Sequence, residues 1–80
     1  MIKIMLFAGL KEKLNREMIH YDQDVPITVG QLRVWLVKEY PELADDLKRV
    51  MIAVNESFAQ DDGWIGPEDR VALIPPVSGG

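Results

Sequence analysis

The chain has 80 residues, of which 48% are hydrophobic and 28% are charged. These values are typical of one small globular domain, and they exclude a disordered chain, a collagen-like repeat and a second catalytic domain. Thirteen Asp and Glu residues outnumber nine Lys and Arg residues, which gives a net charge of -4. Because an acidic protein is repelled by phosphate backbones, we expect no nucleic acid partner.

Few side chains in this sequence are suited to catalysis. There is no cysteine and one histidine, His20, and the only serines are Ser57 and Ser78. This inventory excludes thiolate catalysis and cysteine-based metal sites, and it makes a serine triad a poor interpretation. We expect the chain to bind no metal and no cofactor. The lack of cysteine fits a reducing cytosol, and the apolar start has no signal-peptide pattern, so we expect a cytoplasmic protein without membrane contact.

The start of the chain predicts two strands. Residues 2–8 are apolar except for Lys3 and include the β-branched Ile2 and Ile4, and Gly9 ends the predicted strand. Residues 16–22 alternate in polarity and predict a second strand. A short connection containing Asn15 would join the two strands in a hairpin. Pro26 then stops the pairing.

A helix is predicted to follow. Thr28 is an N-cap residue, and Gln31 three positions later completes a capping-box pattern. The apolar stripe at helical spacing comprises Val29, Leu32, Trp35, Leu36 and Tyr40. Pro41 marks the end of the helix, because the residue before a proline is disfavoured in the helical conformation.

The second half of the chain predicts short strands separated by turns. In order, it contains a polar connection with one short helical turn (42–49), a strand (50–54), a turn (55–56), a short edge strand (57–60), two turn clusters (61–63 and 66–69) and a last strand (70–74). The order β-β-α-β-β predicts an α+β domain over residues 1–75, with a mixed sheet packed on one main helix. The first and last strands would pair in parallel at its centre.

Alternation along the strands predicts an exposed apolar surface. The residues expected to face away from the helix are Lys3, Met5 and Phe7 in the first strand and Ala72 and Ile74 in the last. Phe7 and Ile74 would be neighbours on this uncovered side, where grouped apolar residues indicate an interaction surface. Trp64 either caps the core or touches a partner. We interpret His20, Ser57 and the acidic pairs at 45–46 and 61–62 as solvated surface residues.

The end of the chain is the most informative segment. Pro75 and Pro76 remove two backbone donors, which ends the last strand and favours an extended course beyond it. Gly79 and Gly80 lack side chains and can follow a channel too narrow for other residues. We therefore predict a flexible tail over residues 76–80, whose terminal carboxylate must be activated by another enzyme before it reacts.

Motifs along nearly the whole chain carry a family resemblance. They are found at residues 1–3, 6–8, 54–55, 69 and 71–72, and most specifically in the final Pro-Pro-Val-Ser-Gly-Gly at 75–80. Together they resemble the MoaD/ThiS family of ubiquitin-like sulfur carriers, in its branch of molybdopterin synthase small subunits. The family usually has glycine where this chain has Glu68, a departure that affects a turn and not the tail.

The resemblance implies a β-grasp fold and a carrier role. It implies that a MoeB-like activating enzyme uses ATP to adenylate Gly80 and that sulfur then converts this terminus to a thiocarboxylate. It further implies that the tail enters a MoaE-like large subunit, where the sulfur converts cyclic pyranopterin monophosphate to molybdopterin. Gly79 would be a slender spacer. The residues expected to bind partners are Phe7, Ile74, Pro75, Pro76, Val77 and Ser78.

Three other functions are compatible with this sequence. The chain would serve thiazole synthesis or tRNA thiolation as another sulfur carrier of the same superfamily. A ubiquitin-like modifier would instead form isopeptide bonds through Gly80. A passive β-grasp binding module would tolerate loss of Gly80, which a carrier would not.

Overall fold

The computed structural model describes residues 2–76, which form an α+β fold. In chain order the elements are β1 (Ile2–Leu6), α1 (Ala8–Leu14), β2 (Met18–Tyr21), β3 (Ile27–Thr28), α2 (Val29–Glu39), a 3₁₀ turn (Pro41–Leu43), α3 (Ala44–Leu47), β4 (Met51–Val54), β5 (Ser57–Ala59), β6 (Trp64–Ile65) and β7 (Arg70–Ile74). The predicted tail lies outside the described residues, apart from Pro76.

The last strand lies at the centre of the main sheet. Five strands are hydrogen-bonded in the order β2-β1-β7-β4-β5, and β3 pairs with β6 in a separate two-stranded sheet. β7 is parallel to β1 and antiparallel to β4. The predicted mixed sheet is therefore confirmed, together with its central parallel pair of first and last strands.

One face of the main sheet packs against α2 and forms the core. Ile4 of β1 and Leu73 of β7 have no exposed surface, and neither do Leu32 and Leu36 of α2. The buried cluster comprises Ile2, Ile4, Leu6, Leu10, Ile19, Tyr21, Ile27, Val29, Leu32, Leu36, Leu43, Leu47, Val50, Ile52, Ile65, Val71 and Leu73. The predicted inward orientation of alternate strand residues is confirmed, and side chains on the opposite face, apart from the small and buried Ala53, are left partly or largely exposed.

The main helix begins and ends as its sequence predicts. Thr28 Oγ1 accepts a hydrogen bond from the Gln31 backbone N–H at 3.1 Å, and Gln31 Oε1 accepts one from the Thr28 backbone N–H at 2.9 Å. These bonds satisfy two donors that a helix start leaves without a partner. The helix ends at Glu39, two residues before Pro41. Trp35 is half-buried and packs edge-on against Tyr21, with ring centroids 4.9 Å apart.

The predicted hairpin at the start of the chain is wrong. β1 and β2 are antiparallel neighbours, but helix α1 connects them. Ala8 adopts a φ of 51°, which turns the chain immediately after Phe7, and Gly9 lies inside the helix instead of breaking the structure. Leu10 is buried in the core, and Asn15 ends the helix in the left-handed conformation. Burial of one leucine and a left-handed cap therefore stabilise a helix that the local pattern does not predict.

The small sheet was also not predicted. Ile27 pairs with Ile65 and both are buried, while Thr28 pairs with Trp64. Trp64 is 66% exposed, so it does not cap the core. Contact of Trp64 with a partner stays a prediction.

Candidate functional site

The candidate site is the outer face of the main sheet, which we define as the side turned away from α2. One apolar row crosses this face from edge to edge, because its members are direct cross-strand partners. The row comprises Met18, Met5, Ala72, Ala53 and Phe58. Met5 is 37% and Phe58 is 62% exposed, so the row offers apolar surface to a partner.

A second apolar group lies where β7 ends. Ile74 pairs with Met51 of β4. Leu6 pairs with Leu73, so the residue that follows it, Phe7, comes beside Ile74. Phe7 and Met51 are each exposed over almost half of their surface. The predicted placement of Phe7 and Ile74 together on the uncovered side is confirmed, while their role in partner binding stays a prediction.

The two apolar groups border one shallow groove of about 440 Å³. Its lining comprises Met5, Phe7, Ala53, Glu56, Phe58, Arg70, Val71, Ala72 and Ile74. Met51 and Phe58 were not among the predicted site residues, and they belong to this face because β4 lies between β7 and β5. For Met51, outward alternation in β4, with Ile52 and Val54 on the other side, was the available signal.

The last strand ends at this groove, just before the tail begins. β7 ends at Ile74, Pro75 is half-buried and Pro76 is exposed. The four predicted site residues Val77, Ser78, Gly79 and Gly80 lie outside the described residues. At full extension, four residues span at most about 14 Å. A partner that receives the end of the chain therefore has to lie within about that distance of Pro76.

Comparison with known proteins identifies the family. The sequence profile of the ThiS family matches residues 4–80. This chain belongs to the ThiS family. A molybdopterin synthase sulfur carrier subunit of Dictyostelium discoideum is 33% identical over an alignment that covers 98% of this chain and 94% of the relative.

Solved structures of similar proteins confirm the β-grasp fold. SAMP1 from Haloferax volcanii superimposes with a TM-score of 0.81 and 31% identity, covering 99% of this chain and 98% of that one. A chain in a complex of subunits 1 and 2 of molybdopterin-converting factor from Helicobacter pylori matches with a TM-score of 0.71. Its 24% identity covers 99% of this chain and 97% of that chain, and it shows a shared fold.

In this ThiS-family chain, a polar staple holds the start of β7. The Asn55 backbone N–H donates to the Arg70 carbonyl at 2.7 Å, and Asn55 Oδ1 accepts from the Arg70 N–H at 2.9 Å. Asn55 Nδ2 donates to the Asp69 carboxylate at 2.9 Å, whose other oxygen accepts from the Gly66 N–H at 2.7 Å. The Gly66 and Asn55 hydrogen bonds lower the pKa of Asp69. The staple fixes the central strand at the end opposite the tail.

The remaining candidate residues do not form a catalytic cluster in the part of the chain described. His20 and Ser57 are exposed and lie on different strands. The Asp46 carboxylate forms an ion pair with Lys13 at 2.6 Å, and the Asp61 carboxylate forms one with Arg33 at 3.4 Å. Neither carboxylate therefore interacts with solvent alone. Between residues 2 and 76, no group of three or more His, Cys, Asp or Glu side chains is placed to hold a metal. Within the same range, none of the helices has the length and apolar character needed to cross a bilayer.

Proposed function

We propose that this chain is the sulfur carrier subunit of a molybdopterin synthase and carries sulfur as a thiocarboxylate on Gly80. The observation that supports this function is the exit of the Gly-Gly tail from the central strand, directly beside an exposed apolar groove. Relatives matched over almost their full length are molybdopterin synthase sulfur carrier subunits. A scaffold without a catalytic cluster in its described part fits a role in which the terminus, not a side chain, reacts.

The proposed reaction begins with activation of the terminal carboxylate. A carboxylate is a poor acyl donor, because its oxygen is a poor leaving group. In a MoeB-like activating enzyme, a carboxylate oxygen of Gly80 attacks the α-phosphorus of ATP and displaces pyrophosphate. A sulfide-level nucleophile such as hydrosulfide then attacks the acyl carbon, and the bond to AMP breaks as the carbon–sulfur bond forms, which leaves the thiocarboxylate and free AMP. ATP is consumed by the enzyme and is not a resident cofactor of this chain.

The second proposed step takes place in a large subunit. The H. pylori chain of the same fold is part of a complex of two molybdopterin-converting factor subunits. By analogy, a MoaE-like large subunit covers the outer face, with Phe7, Ile74, Pro75 and Pro76 at the contact. Val77, Ser78 and the two glycines enter its active site. There the sulfur passes to cyclic pyranopterin monophosphate, on the way to molybdopterin.

Reconstitution with purified components tests this function. The chain is incubated with the activating enzyme, ATP and a sulfur donor, and then with the large subunit and cyclic pyranopterin monophosphate. We expect molybdopterin with the intact chain and none after deletion of Gly80. Val34→Ala, at an exposed position of α2 away from the outer face and the tail, is the control and should retain product formation. Equal product from the Gly80 deletion would contradict the proposal.

A second candidate function is protein modification. SAMP1, the similar Haloferax volcanii protein, is a small archaeal modifier protein. A modifier shares the activation step but transfers Gly80 to a lysine amine, which gives an isopeptide bond. Peptide mass spectrometry of host proteins distinguishes the two functions, since a modifier leaves the end of this tail attached to lysines. A carrier for thiazole or tRNA thiolation would leave molybdopterin synthesis normal when the chain is absent.

A further inference from the structure

The end of the outer face opposite the tail carries a row of basic residues. Lys3 is the cross-strand partner of Arg70 on one side and of His20 on the other. We call these three residues the basic row. All three are exposed. Neighbouring strands lie about 4.8 Å apart, so the Lys3 and Arg70 side chains leave the sheet side by side.

This arrangement is unfavourable within the chain itself. Like charges directly opposite one another on a sheet are destabilising. The ion pairs formed among residues 2–76 involve the cations Lys11, Lys13, Arg33 and Lys48. The carboxylate next to Arg70 in sequence, Asp69, is held by Asn55 and Gly66. Glu56 lines the groove with Arg70 but is not within 4 Å ion-pair distance of it.

The basic row also stands out against the charge of the whole chain. The protein carries a net charge of -4, yet this end of the outer face presents two adjacent cations. Arg70 and Ile74 mark the two ends of β7, which at about 3.3 Å per residue lie about 13 Å apart. The outer face is therefore polarised along β7, with cations at one end and apolar residues and the tail at the other.

We propose that the basic row docks on carboxylates of the large subunit and sets the direction in which the carrier approaches. This role rests on the proposed function, because it concerns the partner that receives Gly80. Apolar contacts have no direction, whereas complementary charges at one end of an interface steer encounter and suppress reversed docking. When carboxylates of the large subunit bind Lys3 and Arg70, the opposite end of β7, which leads into the tail, lies next to the channel that receives the tail.

Three single charge reversals test this role. Lys3→Glu and Arg70→Glu alter the row, and Lys38→Glu is the control, since Lys38 is exposed on α2, which packs against the opposite face of the main sheet. Each variant replaces one positive charge by one negative charge, so the net charge goes from -4 to -6 in all three. Association rates with the purified large subunit are measured by stopped-flow at low and at high salt.

We expect Lys3→Glu and Arg70→Glu each to slow association about fivefold or more at low salt, with most of the difference lost at high salt. Lys38→Glu should stay within about twofold of the unmodified chain. The thermal midpoint of Lys3→Glu should be unchanged or higher, because an opposite-charge pair with Arg70 replaces a like-charge pair. Slower association by a domain of undiminished stability cannot be ascribed to unfolding.

Two results would overturn the role of the basic row while leaving the proposed function intact. One is equal slowing by Lys38→Glu, which would make net charge the sole cause. The other is normal association of both Lys3→Glu and Arg70→Glu with the large subunit. If the unmodified chain does not bind the large subunit at all, the proposed function itself fails and the docking role fails with it.

Discussion

Phe7 stands at the junction between the sheet and the candidate site. It follows the buried end of β1, precedes the turn at Ala8 and is 45% exposed beside Ile74. A large aromatic side chain left in this position adds little to the core. We therefore propose that Phe7, a large aromatic residue next to the exit of the tail, anchors the interface, since aromatic residues often dominate binding energy.

Replacement of this side chain is expected to weaken docking and not folding. Phe7→Ala should raise the dissociation constant for the large subunit by the equivalent of about 2 kcal/mol or more. Val34→Ala is the control, because Val34 is 69% exposed on α2, away from the outer face. Isothermal titration calorimetry gives both affinities. Unchanged binding by Phe7→Ala would remove Phe7 from the interface.

At the scale of elements, one arginine links the main helix to the segments that follow it. Arg33 of α2 donates to the Leu47 carbonyl at 2.6 Å and to the Val50 carbonyl at 3.1 Å. Leu47 ends α3 and Val50 precedes β4, so one side chain links three elements. Both hydrogen bonds are partly buried, and a charged donor strengthens each of them.

Loss of this link should destabilise the domain. Arg33→Ala leaves both carbonyls without the charged donor and is expected to lower the free energy of unfolding by about 1–3 kcal/mol. Lys38→Ala, at an exposed position of the same helix, should change it by less than about 0.5 kcal/mol. Urea unfolding followed by circular dichroism measures both. Equal stability of the two variants would show that the Arg33 hydrogen bonds contribute little.

Elements were predictable where their signals are local. The ends of α2 are set by residues in or next to the helix, namely Thr28, Gln31 and Pro41. Alternation along the first and last strands directs both Phe7 and Ile74 away from the helix, on one face. By contrast, α1 depends on the burial of Leu10 against distant strands and on left-handed Ala8 and Asn15, and the β3–β6 pair joins segments far apart in sequence. Phe58 reaches the site only through the pairing of β5 with β4. Such features are set by tertiary packing, which no local pattern records.

At the scale of the whole molecule, the buried core and the proposed functional surface lie on opposite faces of the main sheet. The face against α2 holds the buried cluster, and the outer face holds the groove, the basic row and the exit of the tail. Because β7 is the central strand, its end at Ile74, where the tail begins to leave the sheet, is held by neighbouring strands on both sides. The outer face can therefore change partners while the core stays the same.

The most direct test of a terminal carrier is the mass of the intact chain purified from its host. We expect a fraction of molecules in which one oxygen of the terminal carboxylate is replaced by sulfur, and we expect this fraction to vanish when the activating enzyme is deleted. Only free acid in a host with an active sulfur supply, together with normal molybdopterin synthesis after deletion of Gly80, would contradict the account.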